Sequence, residues 1–200
     1  MGLARLDKLA TEFNIEFDYR AFMLHPEIPP EGKARQPRHG EIEGGLSPRI
    51  STLAKEEGIV MRRAKLTPYT IHAQAITEYA KRFDKADEFH RAAYKAFWDE
   101  GMNLGSFDVL ADIVKSVGLC WDDIRPRLES REYDRLIQDQ SDEAMQLGVT
   151  GVPGFLIDDK FWFTGAQPLE MFRLAARKAL EIREQQQDQP IGIDMRPDDR

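Results

Sequence analysis

The sequence predicts an α/β fold in which a small sheet is interrupted by a long all-helical stretch. Two changes of hydrophobic period predict it. Apolar and polar residues alternate over residues 15–22, helical spacing then runs from Ser47 to about Gly148, and short apolar runs return at Phe155-Leu156-Ile157 and Phe161-Trp162-Phe163. A third observation bounds the size: 200 residues at 42% hydrophobic can fill one core, or a core plus a helical subdomain.

Each element follows from its own pattern. Leu3, Leu6, Leu9, Ala10 and Phe13 share one face of an opening helix, with Arg5, Asp7, Lys8 and Glu12 outside, and Asn14 ends it. Residues 15–22 read as a half-buried strand. Pro26, Pro29 and Pro30 remove donors and fix φ, so residues 25–32 form a loop, which continues through Arg35, Arg38, His39 and Gly44-Gly45. Ser47-Pro48 starts a helix that stops at Gly58, and Thr67-Pro68 repeats that start for a stripe of Ile71, Ala75, Ile76, Tyr79 and Ala80. Phe89, Ala93, Ala96 and Phe97 mark the next helix. Ser106 caps one carrying Leu110, Ile113 and Val114, closed by Gly118. Asp122 and Ser130 are read as caps of two more. Asp158-Asp159 between two apolar runs reads as a tight hairpin, a helix with Leu169, Phe172 and Leu180 follows, and a polar tail begins after Glu184.

Composition excludes several functions. With 35 acidic against 28 basic residues the chain has net charge −7, which disfavours nucleic acid as a partner. No run of about 18 apolar residues exists to span a membrane. The charged, amphipathic start Met1-Gly2-Leu3-Ala4-Arg5 does not read as a signal peptide, so a cytoplasmic address is expected. Cys120 is the one cysteine, and a single thiol builds neither an intramolecular disulfide nor a CxxC pair. Between Leu119 and Trp121 it reads as a buried or half-buried structural thiol. His25, His39, His72 and His90 are scattered, with no metal-ligand spacing, and are read as structural or exposed; no metal is expected. Lys33, Arg35 and Arg38 with His39 read as a solvated loop, and Asp158-Asp159 as turn chemistry. Tyr69, Thr70 and His25 are candidates for a groove wall.

Several segments together carry a family resemblance. Gly148-Val149-Thr150-Gly151-Val152-Pro153-Gly154-Phe155, followed by Gly165-Ala166-Gln167-Pro168, resembles the cis-proline loop and hairpin of FrnE-type, DsbA-like thioredoxin-fold oxidoreductases. Phe97-Trp98-Asp99-Glu100-Gly101-Met102-Asn103-Leu104-Gly105-Ser106 resembles the insert of the same group, as does the earlier Leu24-His25-Pro26-Glu27 with Pro29-Pro30-Glu31-Gly32. The resemblance covers roughly residues 2–180. It implies a thioredoxin-like domain of residues 1–45 and 131–184, a helical insertion of residues 46–130 and a tail of residues 185–200. It also implies substrate contacts at Thr150, Gly151, Val152 and Pro153, where an extended substrate adds to the backbone beside a cis proline.

In that group a strand ends in CxxC and opens a helix that continues like Gly2, Arg5 and Leu6. The expected cysteines and first strand therefore fall before Met1, and no catalytic residue is expected among these positions. Thiol exchange needs a thiolate and a second, resolving thiol. The resemblance thus implies a protein or small-molecule thiol substrate, with redox chemistry absent from the chain as given. A redox-silent module that binds peptides or partners is the alternative. The related 2-hydroxychromene-2-carboxylate isomerase and kappa-class glutathione transferase branch is another; no cofactor is expected on the main reading, and that branch admits glutathione. Residues 190–195 alternate like a substitute strand, and an uncovered sheet edge invites a homodimer.

Overall fold

The computed structural model describes residues 1–36 and 45–187. Arg38, His39, the alternation at residues 190–195 and nearly all of the expected tail lie outside the described residues. The chain divides into two units, one of Met1 with residues 15–152 and one of residues 2–14 with 153–200.

The first unit holds β1 (Lys33–Ala34), α2 (Pro48–Glu56), β2 (Leu66–Thr67), α3 (Ile71–Lys81), α4 (Ala86–Trp98), α5 (Phe107–Ser116), α6 (Trp121–Glu129) and α7 (Asp134–Gln146). α3 packs against α4, α6 and α7, and α5 against α4 and α6. The predicted stripes meet in that core, where Ile76, Phe89, Leu110, Val114, Ile124 and Ile137 are fully buried. Each such side chain contributes roughly 1.5–3 kcal/mol of burial.

Residues 15–22 differ from the expected strand. The side chains alternate as predicted, with Ile15, Phe17 and Tyr19 half-buried and Glu16, Asp18 and Arg20 exposed, but no ladder forms among the described residues. Side chains of α7 take the place of a partner strand. The Ala21 amide donates to Gln140 Oε1 at 2.6 Å, and the Met23 amide to Ser141 Oγ at 2.8 Å. Gln140 Nε2 donates in turn to Glu78 Oε1 at 3.1 Å, and Glu78 pairs with Lys81 at 3.0 Å. Period-two patterning reports which side chains are buried, and it is silent on what satisfies the backbone.

Three helix starts also shift. Thr67 does not cap α3 but pairs with Lys33 in the antiparallel β1–β2 ladder. A residue before proline is pushed toward extended backbone, which suits that ladder, so α3 begins after Thr70. α6 begins at Trp121 with Cys120 in the capping position, leaving Asp122 and Asp123 in the first turn, where carboxylates face the helix's positive end. Ser130 closes α6 rather than opening α7.

The second unit holds α1 (Gly2–Ala10), the antiparallel hairpin of β3 (Gly154–Ile157) and β4 (Phe161–Thr164), and α8 (Leu169–Gln187). Asp158 and Asp159 both have positive φ, 54° and 53°, the mirror-image turn that a tight hairpin needs. Phe155, Phe163 and the fully buried Phe172 pack as a trio, each of the two hairpin rings edge-on to Phe172 with centroids 4.8 Å apart. α1 packs along α8, and Arg173 of α8 clasps Glu12 with its Nε 2.8 Å from the carboxylate.

Candidate functional site

A mostly apolar cavity of about 380 Å³ lies within the first unit. One wall is the extended segment from Tyr19 to Leu24, and α3 and α4 form the others. Val152 and Leu24, both substantially exposed, contribute apolar surface to the lining. The cavity exists because Gln140 and Ser141 of α7 hold the extended segment from one side, while Gln74 of α3 reaches it from another. Gln74 Nε2 lies 3.4 Å from the Phe22 carbonyl and 3.3 Å from Thr70 Oγ1.

The polar features of the lining are few. The rings of Tyr19 and His90 stack with centroids 4.4 Å apart, and those of His90 and Tyr94 lie 4.7 Å apart, giving a three-ring ladder. The Tyr19 hydroxyl donates to Asp87, which is also paired with Arg91. Burial pushes the His90 imidazole down to about 4, with Asp87 pulling upward and Arg91 adding to the depression, so the ring is neutral near pH 7. Neither of its nitrogens has a hydrogen-bond partner among the described residues, and neither is sealed away, in contrast to His72 Nδ1, which is buried and unpaired. Burial likewise lowers His72, which sits edge-on to Tyr69 and Phe107.

Arg20 and His25 of the lining are already engaged with carboxylates. Arg20 pairs with Glu143 and, at 3.9 Å, with Asp18, and His25 lies 3.1 Å from Glu27.

Of the residues singled out in the sequence, Tyr69, Thr70 and His25 do line this cavity, and so does Val152. Thr150 is exposed and Gly151 half-buried in the loop that follows α7. Pro153 opens the second unit. Its carbonyl accepts from the Gly165 amide at 2.7 Å, closing the base of the hairpin. Gly2 stands against the same proline; a Cβ there would lie 2.9 Å from the Phe155 ring and 3.4 Å from Pro153. Arg5, buried in α1, donates to the carbonyls of Ala166 and Gln167, so the Gly165-Ala166-Gln167-Pro168 segment is tied to the opening helix.

Cys120 departs from expectation. It is exposed rather than buried, because α6 starts one residue after it and turns it out at the helix mouth. It is not part of the cavity lining. What the sequence reading missed is the ladder. His90 and Tyr94 are one helical turn apart on α4, a visible i,i+4 pair, but the third ring comes from Tyr19, across 71 positions of chain, and no local signal joins them.

No described cluster of His, Cys, Asp and Glu could hold a metal ion, and no described helix is long and apolar enough to cross a membrane. Comparison with known proteins gives a family. A profile of the DSBA-like thioredoxin domain matches residues 1–177. The chain is 25% identical over 178 residues to the uncharacterized protein YwbO of Bacillus subtilis (strain 168), covering 88% of each. Among solved structures it is similar to the probable DsbA oxidoreductase SCO1869 from Streptomyces coelicolor, with TM-score 0.80, 23% identity, and 96% and 86% of the two chains covered. It is also similar to a 2-hydroxychromene-2-carboxylate isomerase, with TM-score 0.62, 19% identity, and 94% and 91% covered.

Proposed function

The chain belongs to the DSBA-like thioredoxin domain family, and from that premise we propose that these residues bind an extended polypeptide at the first-unit cavity and Val152 without themselves exchanging disulfides. The observation that carries the reading is the placement of the single thiol. Disulfide exchange proceeds by attack of a thiolate to give a mixed disulfide, which a second thiol must resolve. The chain has one cysteine, exposed at the start of α6 and outside the cavity walls.

Binding draws on what remains. The cavity is within the range of ordinary ligand pockets, roughly 300–1,000 Å³, and its apolar lining with a few polar points is the usual composition of such a site. Thr150 and Gly151 leave backbone groups in an irregular, accessible segment beside Val152, where an extended substrate can add hydrogen bonds.

The test pairs two assays. Labelled, carboxymethylated insulin B chain should bind saturably by fluorescence polarisation. Dithiothreitol-driven reduction of insulin should proceed at the rate of the reductant alone. Reduction above that blank which survives Cys120→Ala, or the absence of saturable binding, overturns the reading.

A further inference from the structure

We propose that the first-unit cavity selects a tyrosine side chain of the bound polypeptide, its ring lying against the Tyr19–His90–Tyr94 ladder and its hydroxyl bonded to the His90 imidazole. This deepens the binding reading above and rests on it.

Size comes first. A cavity of about 380 Å³ has room for one aromatic side chain and part of its backbone. Ring chemistry comes second. Aromatic rings prefer offset or edge contacts with centroids roughly 4.5–7 Å apart, and His90 with its two tyrosines sets that spacing within the lining. An aromatic guest set edge-on to the ladder meets rings that are already in place.

The polar match decides between tyrosine and phenylalanine. His90 lines the cavity, and its two nitrogens are neither partnered nor sealed. A neutral imidazole offers one donor and one acceptor, and a phenol hydroxyl can meet either. The Tyr19 hydroxyl gives its proton to Asp87 and is left an acceptor only, whereas the imidazole offers both roles. An anionic guest is disfavoured, since Arg20 and His25 are already paired with carboxylates and Glu78 adds a further carboxylate to the lining. What is left is a neutral ring carrying one hydroxyl.

The test uses three blocked, labelled pentapeptides, Gly-Ser-X-Ser-Gly with X as Tyr, Phe or Ala, titrated at pH 7 beside the insulin B chain. The Tyr peptide should bind about fivefold more tightly than the Phe peptide, the worth of one net hydrogen bond, and both should exceed the Ala peptide. His90→Phe should bring the Tyr/Phe ratio to about one, a result that general loosening of the fold would not give, because loosening weakens both peptides together and leaves their ratio unchanged. In the wild-type chain, the His90 imidazole nitrogen resonances should move further on adding the Tyr peptide than on adding the Phe peptide, which tests the hydrogen bond without any variant. Free p-cresol should displace the Tyr peptide. Equal binding of Tyr and Phe peptides, a Tyr preference that survives His90→Phe, imidazole nitrogen resonances moved no further by the Tyr peptide than by the Phe peptide, or no displacement by p-cresol would each overturn the proposal. If the insulin chain still binds in that case, the binding reading stands; if nothing binds, both fall.

Discussion

Gln140→Ala tests the way the extended segment is held. Two bonds are lost at once. The Ala21 amide, in a residue only 7% exposed, loses its acceptor at 2.6 Å, and the buried Glu78 carboxylate loses a donor at 3.1 Å. An orphaned buried amide costs about 1–3 kcal/mol, and a hydrogen bond to a charged group is worth about 1.5–3 kcal/mol. Glu78 keeps Lys81 at 3.0 Å, which offsets part of its loss. The net expectation is a destabilisation of about 3–5 kcal/mol, or roughly 6–20 °C in Tm for a chain of this size.

Urea unfolding followed by Trp fluorescence measures the free energy, and amide hydrogen exchange reads Ala21 directly. Ser141→Ala removes only the Met23 acceptor and should cost about 1–2 kcal/mol. A loss under about 1 kcal/mol for Gln140→Ala, or an Ala21 amide that exchanges as slowly as before, would refute the claim that α7 stands in for a strand.

The pH dependence of stability should carry the signature of His90. Its folded imidazole titrates at about 4, against 6.5 for the ordinary value, so the unfolded chain takes up the proton first as pH falls. Stability from this group is therefore full above about pH 6.5 and lost progressively toward pH 4, by of order 1–3 kcal/mol. His90→Phe should flatten that limb of the urea-midpoint profile; an unchanged slope refutes the assignment. In the second unit, Phe172→Ala opens the centre of the Phe155–Phe163–Phe172 trio and should cost about 3–5 kcal/mol by thermal unfolding, where a cost below about 1 kcal/mol would mean the trio does not hold hairpin and helix together.

How much of this was legible depends on the range of the interaction. The helices were readable because a stripe such as Ile71, Ala75, Ile76, Tyr79 and Ala80 is written within three turns, and α3 buries four of these five residues. The hairpin was readable because Asp158-Asp159 sits between two apolar runs, and both residues adopt the left-handed backbone such a turn demands. Helix starts were read less well. Thr67-Pro68 has the form of a cap, and only the ladder with Lys33–Ala34, over thirty residues away, decides against it. The fate of residues 15–22 was illegible for the same reason, since their alternation is consistent with a ladder or with amides taken by side chains. Cys120 shows the converse limit: apolar neighbours on both sides say nothing about which way a helix mouth turns the residue between them.

These long-range contacts bear on the site as much as on stability. Gln140 is outside the cavity, yet it fixes the Ala21 backbone, two residues from Tyr19, while Asp87 fixes the Tyr19 hydroxyl from α4. The first ring of the ladder is thus anchored at both ends, and His90, on the same helix as Asp87, meets it at 4.4 Å. A ladder so braced is built before any guest arrives, and a preformed site does not have to order its own side chains on binding, a cost of about 0.5–1.5 kcal/mol for each one otherwise immobilised. The sequence supplies the three rings at Tyr19, His90 and Tyr94, but it is the buried carboxamide at Gln140 and the carboxylate at Asp87 that turn them into a surface able to distinguish a hydroxylated ring from a bare one.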